Sequence, residues 1–250
     1  MVKDKNEVAV KEEALVFDPS SVATDIFDVN DNIKGVTGRI PQIKIMHRVE
    51  MFANQAGEKF SSFKGIILHH SPTNAYWEND FSTSGGGTPP ECASTNGEYP
   101  DSGEKKQCKT CFKCTQNTFG SGKDGKGKAC KNLWRLHILV EGQQIPKRLT
   151  LPPSNIGVLQ DFLVDLRDVG VPHELAILEF TLIPEKSKSG IEYSLINIKP
   201  IGTINNRQKA LELKKIKDDF SAAFGQEIDG DEFAEGYPNA EIVDEKNAKL

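Results

Sequence analysis

"NLWRLHILVEGQQIPKRLTLPPSNIGVLQDFLVDLRDVG", residues 132–170, sets two strands and a helix in a row. Within 132–140, Trp134, Leu136, Ile138 and Val140 share one face and Arg135 and His137 the other, the period of two of a half-buried strand. "EGQQ" turns the chain into a second strand, "IPKRLTL" (145–151). A helix is expected next. Ser154 offers an N-cap, Leu159, Phe162, Leu163 and Leu166 recur at i, i+3, i+4 and i+7, and Gly170 ends the segment.

Upstream, "IPQIKIMHRVEMF" (40–52) reads as a strand, "NQAGE" as a turn and "KFSSFKGIILHH" (59–70) as the next strand. Downstream, "ELAILEFTLI" (174–183) and "IEYSLINIK" (191–199) read as a hairpin joined through "PEKSKSG". From residue 59 the order is strand, long insertion, strand, strand, helix, strand, strand. Five strands with a helix between the third and fourth is the order of an OB-fold, a small, partly open Greek-key barrel. The expected class is therefore mainly β, with an OB-fold domain over 39–203 and an insertion over about 71–131. In that fold the loops after the first and fourth strands flank a nucleic-acid groove. The insertion occupies the first of these loops, and Lys186 and Lys188 fall in the second. A further helix is expected over 204–225, with Leu211, Ile216 and Phe220 available for packing.

Charge divides the chain unevenly. The net charge is −5. Residues 1–38 carry eight acids and four bases, and residues 226–250 carry eight acids and two lysines, which leaves +5 for 39–225. Between Lys105 and Arg135 stand nine basic residues and one acid, Asp124, interleaved with Phe112, Phe119 and Trp134. Basic side chains mixed with aromatic rings point to a polyanion contact, against the plainer reading of a solvated face.

All five cysteines lie between residues 92 and 130. No apolar run approaches the roughly 20 residues of a membrane span, and the amino terminus lacks the apolar block of a signal peptide. A cytoplasmic setting is expected, where thiols stay reduced and clustered cysteines favour metal over disulfides. Cys108, Cys111 and Cys114, with Cys92 before and Cys130 after, supply more thiolates than one tetrahedral Zn²⁺ needs. The expected ligands are Cys92, Cys111, Cys114 and Cys130, two single ligands flanking a Cys-x2-Cys knuckle. Spacing alone leaves Cys108 as an alternative to Cys111 or Cys114. Zinc would supply the folding energy that so apolar-poor a segment cannot obtain by burial, roughly 10 kcal/mol or more.

Single strands are held by basic grooves and by aromatic faces on which bases stack. Tyr76, Trp77 and Phe119 are the stacking candidates, each with core packing as the plainer alternative; Trp134 shares a face with Leu136 and Ile138 and is assigned to packing. Lys123, Lys126, Lys128 and Lys131 are the expected phosphate contacts, with Arg135 and Arg148 projecting from the groove strands. The glycine-rich "GKDGKGKACK" lacks the Gly-Lys-[Ser/Thr] ending of a Walker loop. Neighbouring strand residues face opposite ways, so His69 and His70 do not readily share a metal ion. No catalytic constellation accompanies them, and the chain is read as a binding protein, not an enzyme.

The wording "GIILHHSPTNAYW", "PPECAS", "C-x2-C-x2-N-x-FGS", "GKGKACKNLWRLHIL" and "LTLPPSN" resembles a family encoded by bacteriophages and integrative elements. Its members are regarded as single-stranded-DNA-binding-like proteins with an OB-type core and a cysteine-bearing insertion. The resemblance spans roughly 40–200. It implies DNA binding in replication or recombination, and Cys92, Cys111, Cys114 and Cys130 as the recurrent cysteines, with Cys108 an addition. The acidic tail, 226–250, resembles the partner-recruiting tails of bacterial single-strand binders in charge but ends "EKNAKL". A solubilising tail is the alternative, and self-association is left open. The competing functions are a zinc module that contacts protein or transcription machinery, and a metal-dependent nuclease.

Overall fold

Leu136, Ile138, Leu149 and Leu151, the inward residues of the two central strands, lie at the bottom of a core with Ile43, Phe52, Ile67, Leu178, Phe180 and Ile196. The computed structural model that places them describes residues 40–225, apart from 48, 79–87, 188, 189 and 191. The acidic arm (1–38), the acidic tail (226–250) and Lys188 lie outside the described residues.

The described chain is mainly β: one open, curled sheet and two helices. Its strands are β1 (Gln42–Met46), β2 (Met51–Asn54), β3 (Lys59–Phe60), β4 (Ser62–Tyr76), β5 (Cys92–Ser94), β6 (Lys131–Val140), β7 (Lys147–Leu151), β8 (Ala176–Lys186) and β9 (Glu192–Thr203). The order across the sheet is β3-β2-β1-β7-β6-β4-β8-β9, with β5 paired to β4. All ladders are antiparallel except β1 on β7, where Gln42 faces Arg148 and Ile43 faces Leu149.

The helix α1 (Pro153–Asp168) lays Leu159, Phe162 and Leu166 on the core, with Leu163 at its margin, as the stripe requires. Its start differs from expectation. Pro152 occupies the cap and Pro153 the first helical position, where a missing N–H costs nothing. Gly170 ends the helix with φ +71°, donating to the Arg167 carbonyl while Val171 donates to that of Leu166. In the first turn of α1, Asn155 is buried and bonds the backbone of β9 both ways: Nδ2 donates to Ser194 O, and Ile196 N–H donates to Oδ1. A side chain thus supplies contacts to β9 where no strand of the ladder does.

Three further expectations are corrected. Residues 40–52 form two strands, because the chain reverses after Met46 through a turn in which Glu50 takes φ 53°. The strand read as ending at His70 continues to Tyr76, held by β6 on one side and by β5 on the other. The insertion therefore begins after Tyr76, and Tyr76 itself belongs to the sheet. In the helix α2 (Arg207–Phe224), Leu211 is exposed; Leu213 and Phe224 take the buried positions, with Ile216 and Phe220 beside them.

The helix α2 covers the sheet face opposite α1, packing on Leu68, Ile66 and Leu139. Leu68 is the extra residue of a bulge, since Ile67 faces Ile138 and His69 faces His137. Phe224 then stacks on His69 at 5.1 Å and lies tilted against His137 at 4.5 Å. No helix among the described residues is long and apolar enough to cross a membrane.

Candidate metal and nucleic-acid site

Sulfur gathers where β4 ends and β5 begins. Cys92 opens β5 and pairs with Tyr76, the last residue of β4; Cys130 directly precedes β6. Between them, Cys111–Lys113 and Thr115–Asn117 form two successive 3₁₀ turns. Such a turn repeats every three residues, so Cys111 and Cys114 share one side. Its geometry is fixed by hydrogen bonds: Cys111 N–H to Glu98 O (2.8 Å), Cys114 N–H to Cys111 O (3.3 Å) and Asn117 Nδ2 to Cys111 O (3.0 Å). Cys130 N–H reaches Gln116 O over 2.7 Å and ties the end of the insertion to the knuckle.

All five cysteines line one small cavity of about 10 Å³, room for a single water-sized sphere, together with Tyr76, Gln107 and Asn117. Cys92, Cys111, Cys114 and Cys130 are buried; Cys108 is partly exposed. The Gln107 N–H donates to Cys92 Sγ over 3.4 Å, a bond that favours a thiolate there. Cys108 and Cys130 are pushed up to about 12, first by burial and then by the neighbouring sulfurs. Cys92 is raised for the same first reason. The thiols are thus close enough to disfavour each other's ionisation. Among the described residues no group of three or more His, Cys, Asp or Glu side chains forms a ready-made metal site.

Backbone approach closes the second half of the insertion. A Cβ on Gly122 would meet Lys126 O at 2.0 Å, and Gly120 and Gly122 both donate to Gly127 O. Ser121 Oγ accepts from Ala129 N–H and lies 2.9 Å from Gln116 O, to which it donates. Hydrogen bonds, in place of an apolar core, organise this loop.

The residues singled out for nucleic acid separate into two groups. Lys123 and Lys126 are exposed and Lys128 and Lys131 half-buried, all within or at the end of the insertion. Phe119 is 59% exposed. By contrast Arg135 is 0% and Arg148 4% exposed, so neither projects from a groove wall. The face they share with His137 is the one α2 covers at Phe224. Trp77 packs against Ala75, Ala93 and Leu133 and donates Nε1–H to Thr88 O over 2.9 Å. Tyr76 is half-buried on the cysteine cavity, its hydroxyl raised by burial and by Glu78 and Glu91. Trp134 packs at the core margin and donates to His70 Nδ1 over 3.3 Å.

Two exposed aromatics among the described residues of the insertion were missing from the expected contacts, Tyr99 at 51% and Phe112. Phe112 is 88% exposed, between two buried cysteines. The signal was available: on a turn of period three, the residues between Cys111 and Cys114 must face away from the sulfurs.

His69 and His70 face opposite ways, as strand geometry requires. His69 lies against His137 and Phe224, while His70 lies against Trp134 and His173. No family model, curated protein or solved structure matches the chain.

Proposed function

We propose that this chain binds single-stranded DNA without sequence preference, through a zinc-stapled, lysine-bearing insertion set on an OB-type sheet. The observation that carries the reading is the convergence of five thiols on one cavity, in a loop whose outer surface bears exposed lysines and aromatic rings. The OB reading is supported by the ladders β4–β6, β6–β7, β4–β8 and β8–β9, with α1 between the third and fourth of these five strands. One feature departs from that barrel: β1 takes the edge of β7 that the last strand would close.

The donor set fits zinc. Four buried thiols suit a tetrahedral site, and Cys92, Cys111, Cys114 and Cys130 would hold the ion. When bound, the ion supplies folding energy, not chemistry. The chain's own residues do the rest: the 3₁₀ turns present Lys113, and the Gly120–Gly127 loop presents Lys123 and Lys126, to phosphates. Tyr76, Trp77, Arg135 and Arg148 are built into the sheet and its margin and act through folding. A role in coating single strands during phage or mobile-element replication or recombination, in the bacterial cytoplasm, is the setting that the sequence resemblance favours.

A mobility shift with a single-stranded oligonucleotide and its duplex tests the reading. Retention of the single strand, uncut, at concentrations that leave the duplex free is the expected result. Cleavage would favour the nuclease, and no shift of either would favour the protein-contact module.

A further inference from the structure

We infer that Phe112 is a base-stacking platform, carried on the knuckle and aimed outward by the same turn that aims Cys111 and Cys114 inward. The inference rests on the single-strand reading and names the residue that would make its principal stacking contact.

The turn leaves Phe112 no choice of direction. Cys111 and Cys114 are buried on one side of a three-residue turn, so Phe112 and Lys113 occupy the other. The turn is not free to rotate, because Glu98 O, Cys111 O and Asn117 Nδ2 hold its backbone. The result is a large apolar ring, 88% exposed, on a fixed mount. It contributes almost nothing to the core, whereas both tryptophans, Trp77 and Trp134, are packed.

Its surroundings select the partner. Lys113 is adjacent, Lys109 lies three residues before Phe112, and both are exposed. Phe119, another exposed ring of the insertion, follows seven residues later, just past the 3₁₀ turn Thr115–Asn117. A protein-binding hot spot would be expected to sit in an apolar patch, but here the ring stands among lysines. An aromatic face with flanking cations suits a strand of bases and phosphates.

The experiment compares the wild-type chain, Phe112→Ala, Phe112→Tyr and Phe112→Trp in anisotropy titrations with a fluorescent single-stranded oligonucleotide. Phe112→Ala should bind more weakly, by about five-fold to about 150-fold, at every salt concentration and with an unchanged salt slope. Phe112→Tyr should restore binding, and the indole of Phe112→Trp should be quenched as the oligonucleotide is added. Equal far-ultraviolet dichroism and equal metal content in all four proteins would exclude a folding effect. Wild-type affinity in Phe112→Ala, or no quenching in Phe112→Trp, would overturn the inference while leaving single-strand binding intact. Failure of the wild-type chain itself to bind would overturn both readings at once.

Discussion

Ser194 donates its backbone N–H to Nδ1 of His47 and its hydroxyl to the His47 carbonyl, each over 3.2 Å. The pair joins the chain just after β1 to β9, two strands that share no ladder, and so helps hold the curl of the sheet. Nδ1 accepts a hydrogen bond, so the neutral ring carries its proton on Nε2.

Burial pushes His47 from 6.5 down to about 4. The unfolded chain therefore binds the proton first as pH falls. Stability from the neutral ring is complete above about pH 6.5 and is lost progressively as pH approaches 4, by roughly 3 kcal/mol. His137 and His173 are also lowered, chiefly by burial, and act in the same direction. Urea unfolding at pH 7 and pH 5 should show the loss, and His47→Gln should show a smaller difference between the two pH values than the wild-type chain. An equal difference in both proteins would remove His47 from the account.

Metal content separates the cysteines. Protein purified without added metal should carry one Zn²⁺ per chain by elemental analysis. Cys108, partly exposed at the cavity edge, should be replaceable by serine with the ion retained, whereas Cys114→Ser should lose it. The opposite pattern would exchange their roles.

Arg135 is a folding residue. With its side chain fully buried, Arg135→Ala should lower unfolding free energy by about 2–5 kcal/mol, the range for deleting a large buried side chain. Any loss of oligonucleotide binding should track the unfolded fraction. A stable Arg135→Ala chain with selectively weakened binding would return this residue to the contact surface.

Much of the sheet was legible because the core face of β6 alternates Trp134, Leu136 and Ile138 with the polar Arg135 and His137, and because α1 carries a helical stripe. The reversal after Met46 was not legible, since "HRVE" contains neither glycine nor proline and relies on Glu50 in a left-handed conformation. Nor was the reach of β4 to Tyr76: "SPTNAY" lacks apolar alternation and is ordered by ladders on both edges. Arg135 was misplaced for a related reason. Alternation tells which residues share a face, but only tertiary structure reveals that Phe224 of α2 covers the face carrying His137. The cysteine cluster was legible from spacing, and the outward direction of Phe112 follows once Cys-x2-Cys is read as a turn of period three.

The most direct measurement is the salt dependence of single-strand affinity in the wild-type chain and in a Lys109→Ala/Lys113→Ala double variant. Binding by the insertion predicts that log K falls linearly with log salt. Each lost phosphate contact should flatten the slope by about 0.7, so the double variant should differ by about 1.4. Identical slopes in the two proteins would remove Lys109 and Lys113 from the path of the strand, and affinity indifferent to salt would contradict the claim that this insertion holds it.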